Sequence, residues 1–248
     1  MVLYNLQSKL YNTIDKLYKK VYDVGVRMVK MKKSVYSIVL MDEVVNQIDR
    51  LAYQNSVSRS AMINSILAKH CSYKTPYSVI SDIYSRVEEI IGLDGFQTVL
   101  SQSNSNMNIR SALAFKYNPT IKYNIGVYPK IEDKLGTVKV SLRTSSATLI
   151  AHINNFYKLW VQCEVLYLEP ILTKPIGCYV ENEKYTRELY TPKVSNLTEN
   201  ELARSISEYI SMMDYLIKVY FENLSSTKLD VIIESEFVRK LQSRDYLI

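Results

Sequence analysis

The residues best placed for chemistry are Ser58, Arg59 and Ser60, which open an apolar-patterned stretch running to about His70. The first turn of a helix leaves backbone N–H groups without intrahelical partners and carries the positive end of the helix dipole, so an anion such as a phosphate fits there. Ser58 is equally suited to capping the helix with its own side chain. Both roles stand open at this level. Just upstream, Lys33, Val35, Ser37 and Val39 alternate with Tyr36, Ile38 and Leu40, which is the period of a β-strand with two distinct faces.

Other chemistries find little support. His70 and His152 are the only histidines, and with Cys71 and Cys163 they make no strong metal-ligand spacing, so no metal and no cofactor is expected. No Gly-x-Ser-x-Gly turn, phosphate loop or partnered cysteine is present, and an enzyme is not expected. Cys71, Cys163 and Cys178 are an odd number without paired spacing, which reads as reduced thiols and a cytoplasmic location. No apolar run reaches the ~20 residues a bilayer span requires, nor is there a signal peptide, so no membrane partner is expected.

The elements that hold these residues follow from periodicity. Leu3, Leu6, Leu10, Ile14, Leu17, Val21, Val24 and Met28 recur every three or four residues, an apolar stripe on a lysine-rich helix over residues 1–30. Its seam suits either a coiled coil or packing on its own domain. Met31-Lys32-Lys33 reads as a natural start, which would make that helix an appendage. Of 31 basic and 25 acidic residues, eight and two lie in residues 1–34, leaving 23 of each in the remainder. A basic end on a neutral body suits a polyanion, although a solvated helix face has the same composition. A helix from about Asp42 to Gln54 offers Val44, Ile48 and Leu51 inward. The next offers Ala61, Ile63, Ile66 and Leu67. In the turn between them, Asn55 is the residue that tolerates a positive φ.

This strand–helix–turn–helix over residues 31–70 resembles the ribbon-helix-helix DNA-binding family (Arc/MetJ/CopG type). The resemblance covers about a sixth of the chain. It implies a homodimer or higher homo-oligomer in which one strand from each copy pairs antiparallel and the ribbon enters the major groove of double-stranded DNA. Lys33, Val35, Ser37 and Val39 would then face the bases, and Ser58, Arg59 and Ser60 would hold a phosphate. Tyr36, Ile38, Leu40, Val44, Ile48, Leu51, Ile63 and Ile66 would build the shared core. Family members often carry polar base-facing side chains, and their turn before the second helix usually holds Gly or Asn. Val35 and Val39 can pack on thymine methyl groups but not hydrogen-bond a base, so reading would rest on Ser37, Lys33, methyl contacts and DNA shape. A strand that serves dimerisation alone is the alternative. A strand–helix–helix of this size has too little core to stand by itself, so dimerisation is expected on physical grounds as well.

Cys71 to Pro76 breaks the pattern and marks a boundary, giving three regions: 1–30, 31–75 and 76–248. In the last, Ile80, Ile83, Val87, Ile90 and Ile91 mark a helix capped near Gly92, and Ser101–Asn106 reads as a loop. Residues 109–117, 121–127 and 138–142 alternate as an antiparallel meander of about three strands, its last turn at residues 132–136. Ser145 or Ser146 caps a helix with the stripe Leu149, Ile153, Phe156, Trp160 and Cys163. A hairpin over Tyr179–Leu189 follows. Thr198 and Glu201 have capping-box spacing ahead of another helix, and a last helix follows Thr227. Arg110, Lys116, Lys122, Lys139 and Arg143 could share one sheet face, as a nucleic-acid surface or as solvated outer residues.

The expected fold class is α+β: an N-terminal helix, a ribbon-helix-helix module, and a C-terminal domain of long helices with the meander. The expected function is sequence-selective double-stranded DNA binding as a transcriptional regulator, usually a repressor in that family. A plasmid or mobile-element partition protein is the alternative within DNA binding, its C-terminal domain recruiting a protein partner or effector. An interaction scaffold that merely dimerises through the strand–helix–helix is the alternative of another class.

Overall fold

Four of the six described α-helices start where a short polar side chain, Ser58, Thr75, Ser146 or Thr198, accepts from an otherwise unpaired N–H. The computed structural model describes residues 34–100, 106–116, 118–128, 133–181, 183–193, 197–243 and 248. The expected helix over 1–30, Lys33 and most of the loop at 101–106 lie outside them. Residues 1–37 and 38–248 form two units, and of the first only residues 34–37 are described. The fold class is α+β, with six α-helices and one six-stranded antiparallel sheet among the described residues.

Helix α1 spans Asp42–Gln54 and α2 spans Arg59–His70. Both end in the same way. The N–H of Ser56 bonds the Tyr53 carbonyl and that of Val57 the Ala52 carbonyl, and Ser72 and Tyr73 repeat this pairing on Lys69 and Ala68. These are Schellman closures, which place the residue beyond the cap in the left-handed region. Ser56 has φ 52° and Ser72 φ 53°. Asn55, the residue expected to tolerate a positive φ, instead has φ −93° and donates its side-chain amide to the Leu51 carbonyl at 2.8 Å.

Beyond Cys71, Thr75 caps helix α3 (Pro76–Gly92), accepting from Ser78 N at 3.1 Å. The residue that caps its far end is Leu93 rather than Gly92, and the positive φ of the following turn falls on Gly95. Strands β1 (Gln97–Leu100), β2 (Met107–Ala112), β3 (Thr120–Val127) and β4 (Lys134–Arg143) follow. The meander was legible as β2–β3–β4, while β1, four residues long, gave too short an alternation to notice. Residues 134–136, expected as turn, already belong to β4, with an irregular register between Lys134 and Gly136. There the strands approach so closely that a Cβ on Gly136 would lie 2.1 Å from the Gly126 carbonyl oxygen.

Helix α4 (Ala147–Cys163) is capped by Ser146 and continues into a π-helical turn, Glu164–Leu168. The hairpin of β5 (Cys178–Glu181) and β6 (Lys184–Tyr190) completes the sheet in the order β1-β2-β3-β4-β6-β5. Helix α5 (Glu199–Glu222) opens with a full capping box between Thr198 and Glu201, and α6 (Leu229–Gln242) closes the described chain of elements.

One face of every inner strand is buried against α3, α4, α5 and α6. Ile121, Tyr123, Ile125 and Val127 of β3 alternate with half-exposed residues, and Val138, Val140 and Leu142 of β4 do the same. Aromatic rings fill the space between layers: Trp160 meets Tyr209 and Phe237 edge-on at 5.7 and 5.2 Å between centroids. Polar stitches fix the layers in register. Tyr84 of α3 donates to the Ile125 carbonyl and accepts from Val127 N, and Tyr123 donates to Asp214 of α5 at 2.9 Å.

An ion pair lies wholly inside this core. Arg187 of β6 approaches Glu164 of the π-helical turn at 3.2 Å, both without exposed surface. Tyr185 and Tyr209 donate to the same carboxylate, Trp160 donates to Tyr209, and Arg187 donates to the Ile248 carbonyl oxygen at 2.7 Å. Burial pushes the Glu164 carboxyl up, against the opposing pull of Arg187 and the phenolic donors. Burial lowers Arg187, but Glu164 together with Tyr209 and Tyr185 outweighs it, so the guanidinium is raised and stays charged. With no exposed surface, these groups tie β6, the π-helical turn and α5 together inside the core.

Candidate nucleic-acid interface

The candidate residues divide between residues 34–41, which belong to no helix or strand, and the helix pair. Val35, Tyr36, Ser37, Ile38, Val39 and Leu40 are all exposed, Val35 at 99% and Tyr36 at 83%. A strand ladder there needs a second strand, and the described residues of the single chain supply none. Met41 has φ −69° and ψ 142°, the extended conformation from which α1 departs.

Within the pair, Ile48 and Ala52 of α1 are buried and Ile63 of α2 is half-buried. The rest of the expected shared core is open: Val44, Leu51, Ile66 and Leu67 are all exposed. The continuous core of the protein begins at Ile80 and includes no residue of either helix. An amphipathic pair whose apolar residues face outward, next to an exposed apolar segment, leaves unburied what a folded chain normally buries.

At the N-terminus of α2, the Ser58 hydroxyl accepts from Ala61 N at 3.2 Å, so the capping role is realised. The N–H groups of Arg59 and Ser60 in the same turn remain for an anion. Arg59 is engaged elsewhere: its Nε donates to Asp49 Oδ1 at 2.6 Å and its Nη2 to Oδ2 at 2.5 Å. This two-point bond holds the Asp49 carboxyl below the usual carboxylate range and raises the Arg59 guanidinium. It uses two of the five donors of the guanidinium, whose side chain stays 56% exposed. Asp49 was not foreseen as a partner. Ten residues separate it from Arg59, and only the turn that brings the start of α2 back against α1 joins them.

The thiols and histidines do not assemble. Cys71 is exposed, Cys163 is buried and Cys178 is half-buried. Among the described residues, no group of three or more His, Cys, Asp or Glu is arranged to hold a metal ion. No helix among them is long and apolar enough to cross a membrane. No family model matches this chain, and no curated protein or solved structure matches it either.

Proposed function

We propose that this protein is a dimeric, sequence-selective double-stranded DNA-binding protein acting as a transcriptional regulator. Residues 35–40 of two copies pair antiparallel, and the ribbon enters the major groove with Val35, Ser37 and Val39 outward. The N-terminal turn of α2 lies on the DNA backbone, with Ser60 and Arg59 at a phosphate. The observation that carries this reading is the run of exposed apolar side chains, Val35 to Leu40 with Val44, Leu51, Ile66 and Leu67, on a helix pair that has no share in the main core. Pairing two copies buries that run and gives its backbone groups a ladder in one step.

The Arg59–Asp49 bond shapes the phosphate contact. An exposed pair of this kind contributes little stability, so Arg59 can turn its free donors to a phosphate while keeping Asp49, which holds it in place. The same bond, with Val35 and Val39 apolar, favours the scaffold reading, in which the segment dimerises the chain and reads nothing. Selection of the purified protein on a pool of random genomic fragments separates the two. A regulator enriches a repeated or palindromic motif with half-sites about 10 base pairs apart. Recovery without enrichment, or no recovery, sinks the regulatory reading.

A further inference from the structure

The sheet has two faces, and the one turned away from the helices carries an unbalanced charge. Registry fixes which residues share it. Arg110 of β2 stands opposite Lys122 of β3, Lys122 opposite Ser141 of β4, and Ser141 opposite Lys184 of β6. One step along, Lys139 of β4 lies between Asn124 and Thr186, and Arg143 pairs with Thr120 at the end of the same strand. All five cations sit on the face opposite the buried Ile109, Tyr123, Val140 and Tyr185. Arg110, Lys139, Arg143 and Lys184 are exposed and Lys122 half-exposed. None of the five enters an ion pair among the described residues.

Two carboxylates share the face. Glu188 is taken up by Lys134 at 2.7 Å and by the Tyr190 hydroxyl, and Glu181 sits on the short edge strand. Like charges directly opposite on neighbouring strands, as Arg110 and Lys122 are, destabilise a sheet. The chain from residue 35 onward is electrically balanced overall, so the excess is a matter of placement. Strands lie about 4.8 Å apart, which makes the cationic area about 14 Å wide from β2 to β6 and about 13 Å long from Lys139 to Arg143. That span matches a few successive phosphates of a nucleic acid backbone.

We infer that this open sheet face is a second nucleic-acid contact that grips the phosphate backbone of duplex DNA without regard to sequence. The face between the cations is amide and hydroxyl, from Asn108, Asn124, Thr120 and Ser141, groups that bond phosphate oxygens. Aromatic rings on this face stand at its margins, Tyr179 on the edge strand β5 and Tyr190 at the far end of β6, where its hydroxyl bonds Glu188. A platform for single strands would carry aromatic rings along its centre for base stacking. The contact does not depend on the ribbon, and would bind whether or not residues 35–40 read a base.

The test uses the full chain, a fluorescein-labelled 30-base-pair duplex of random sequence, and a 30-nucleotide oligo-dT strand, titrated by anisotropy across salt concentrations. Replacing Lys122, Lys139 and Arg143 together by Ala should weaken duplex binding about tenfold or more near 0.1 M salt and lower the salt slope by about 2 to 3 units, close to 0.9 per lost phosphate contact. Exchanging the two lysines for Arg should preserve both values. Thermal melting verifies the fold of the triple variant, and Lys139→Glu alone, at an exposed position, gives the same readout if the triple variant is unstable. An unchanged slope, no duplex binding by the full chain at 50 mM salt, or tighter binding of oligo-dT each overturns the assignment. Loss of motif enrichment with this slope intact sinks only the ribbon reading. A slope indifferent to these substitutions, with enrichment intact, sinks only the sheet contact.

Discussion

The helix pair α1–α2 and the α+β body solve the burial problem in opposite ways. In the body, Trp160, Tyr157, Tyr185 and Phe237 have no exposed surface, and even a charged pair, Glu164–Arg187, is enclosed and hydrogen-bonded on several sides. In the helix pair, Ile48 and Ala52 are the only buried residues of α1, α2 has none, and its ion pair sits at the surface. One region closes on itself. The other leaves its apolar residues open. The contrast marks where the proposed dimer would form, because apolar area left open on short helices is a cost that association would remove.

The sharpest way to break the contrast is to attack the closed region. Arg187→Met leaves the Glu164 carboxylate buried without its counter-charge and should destabilise the protein by about 3–5 kcal/mol in urea unfolding. Adding Glu164→Gln should restore a good part of that loss, because a neutral amide tolerates the enclosed site better. A single variant that costs less than about 1 kcal/mol would mean the pair is wetter than its burial indicates.

Leu40→Glu attacks the open region. Placing charge in the exposed apolar segment should shift sedimentation from dimer toward monomer, raising the dissociation constant at least about tenfold, which corresponds to about 1.4 kcal/mol. The melting of the body should stay where it was. A monomeric wild-type protein would remove the partner argument altogether.

Thiol chemistry sharpens the same line. Burial, with Glu234 and Glu164 nearby, pushes the Cys163 thiol up to about 12, and burial with Glu164 does the same for Cys178. At pH 8 each is then ionised to only about one part in ten thousand. Cys71, exposed where α2 ends, should react with an aromatic disulfide reagent within seconds, and the other two only after denaturant is added. Three equal rates would show that the body opens as readily as the helix pair.

The smallest effect concerns backbone strain. Ser56 holds a left-handed conformation that costs a residue with a Cβ about 1–2 kcal/mol, part of which glycine returns as unfolded-chain entropy. Ser56→Gly should therefore stabilise the helix pair by about 0.5 kcal/mol, read as slower amide exchange across α1 and α2 while the body is unchanged.

Local rules made much of the fold legible. The capping residues Ser58, Ser146 and Thr198 stand where the helices begin, and the alternation in β3 and β4 assigned their inner and outer faces, because both signals act within a few residues. The limits were equally local. Strand β1 was too short for its period to register, and the positive φ fell on Ser56 because the Schellman closure, and not residue preference, chose the position. Glu164 did leave a trace, as the lone charge in the run Trp160–Leu168, yet nothing nearby pointed to Arg187.

What the sequence determined alone is the order and kind of elements, since hydrophobic period, caps and turn residues are properties of neighbouring positions. Only the tertiary structure decided which distant charges met: Arg59 with Asp49, Glu164 with Arg187, and five cations across one face of the sheet. Those pairings depend on helix return and strand register, and a linear chain carries no local record of either.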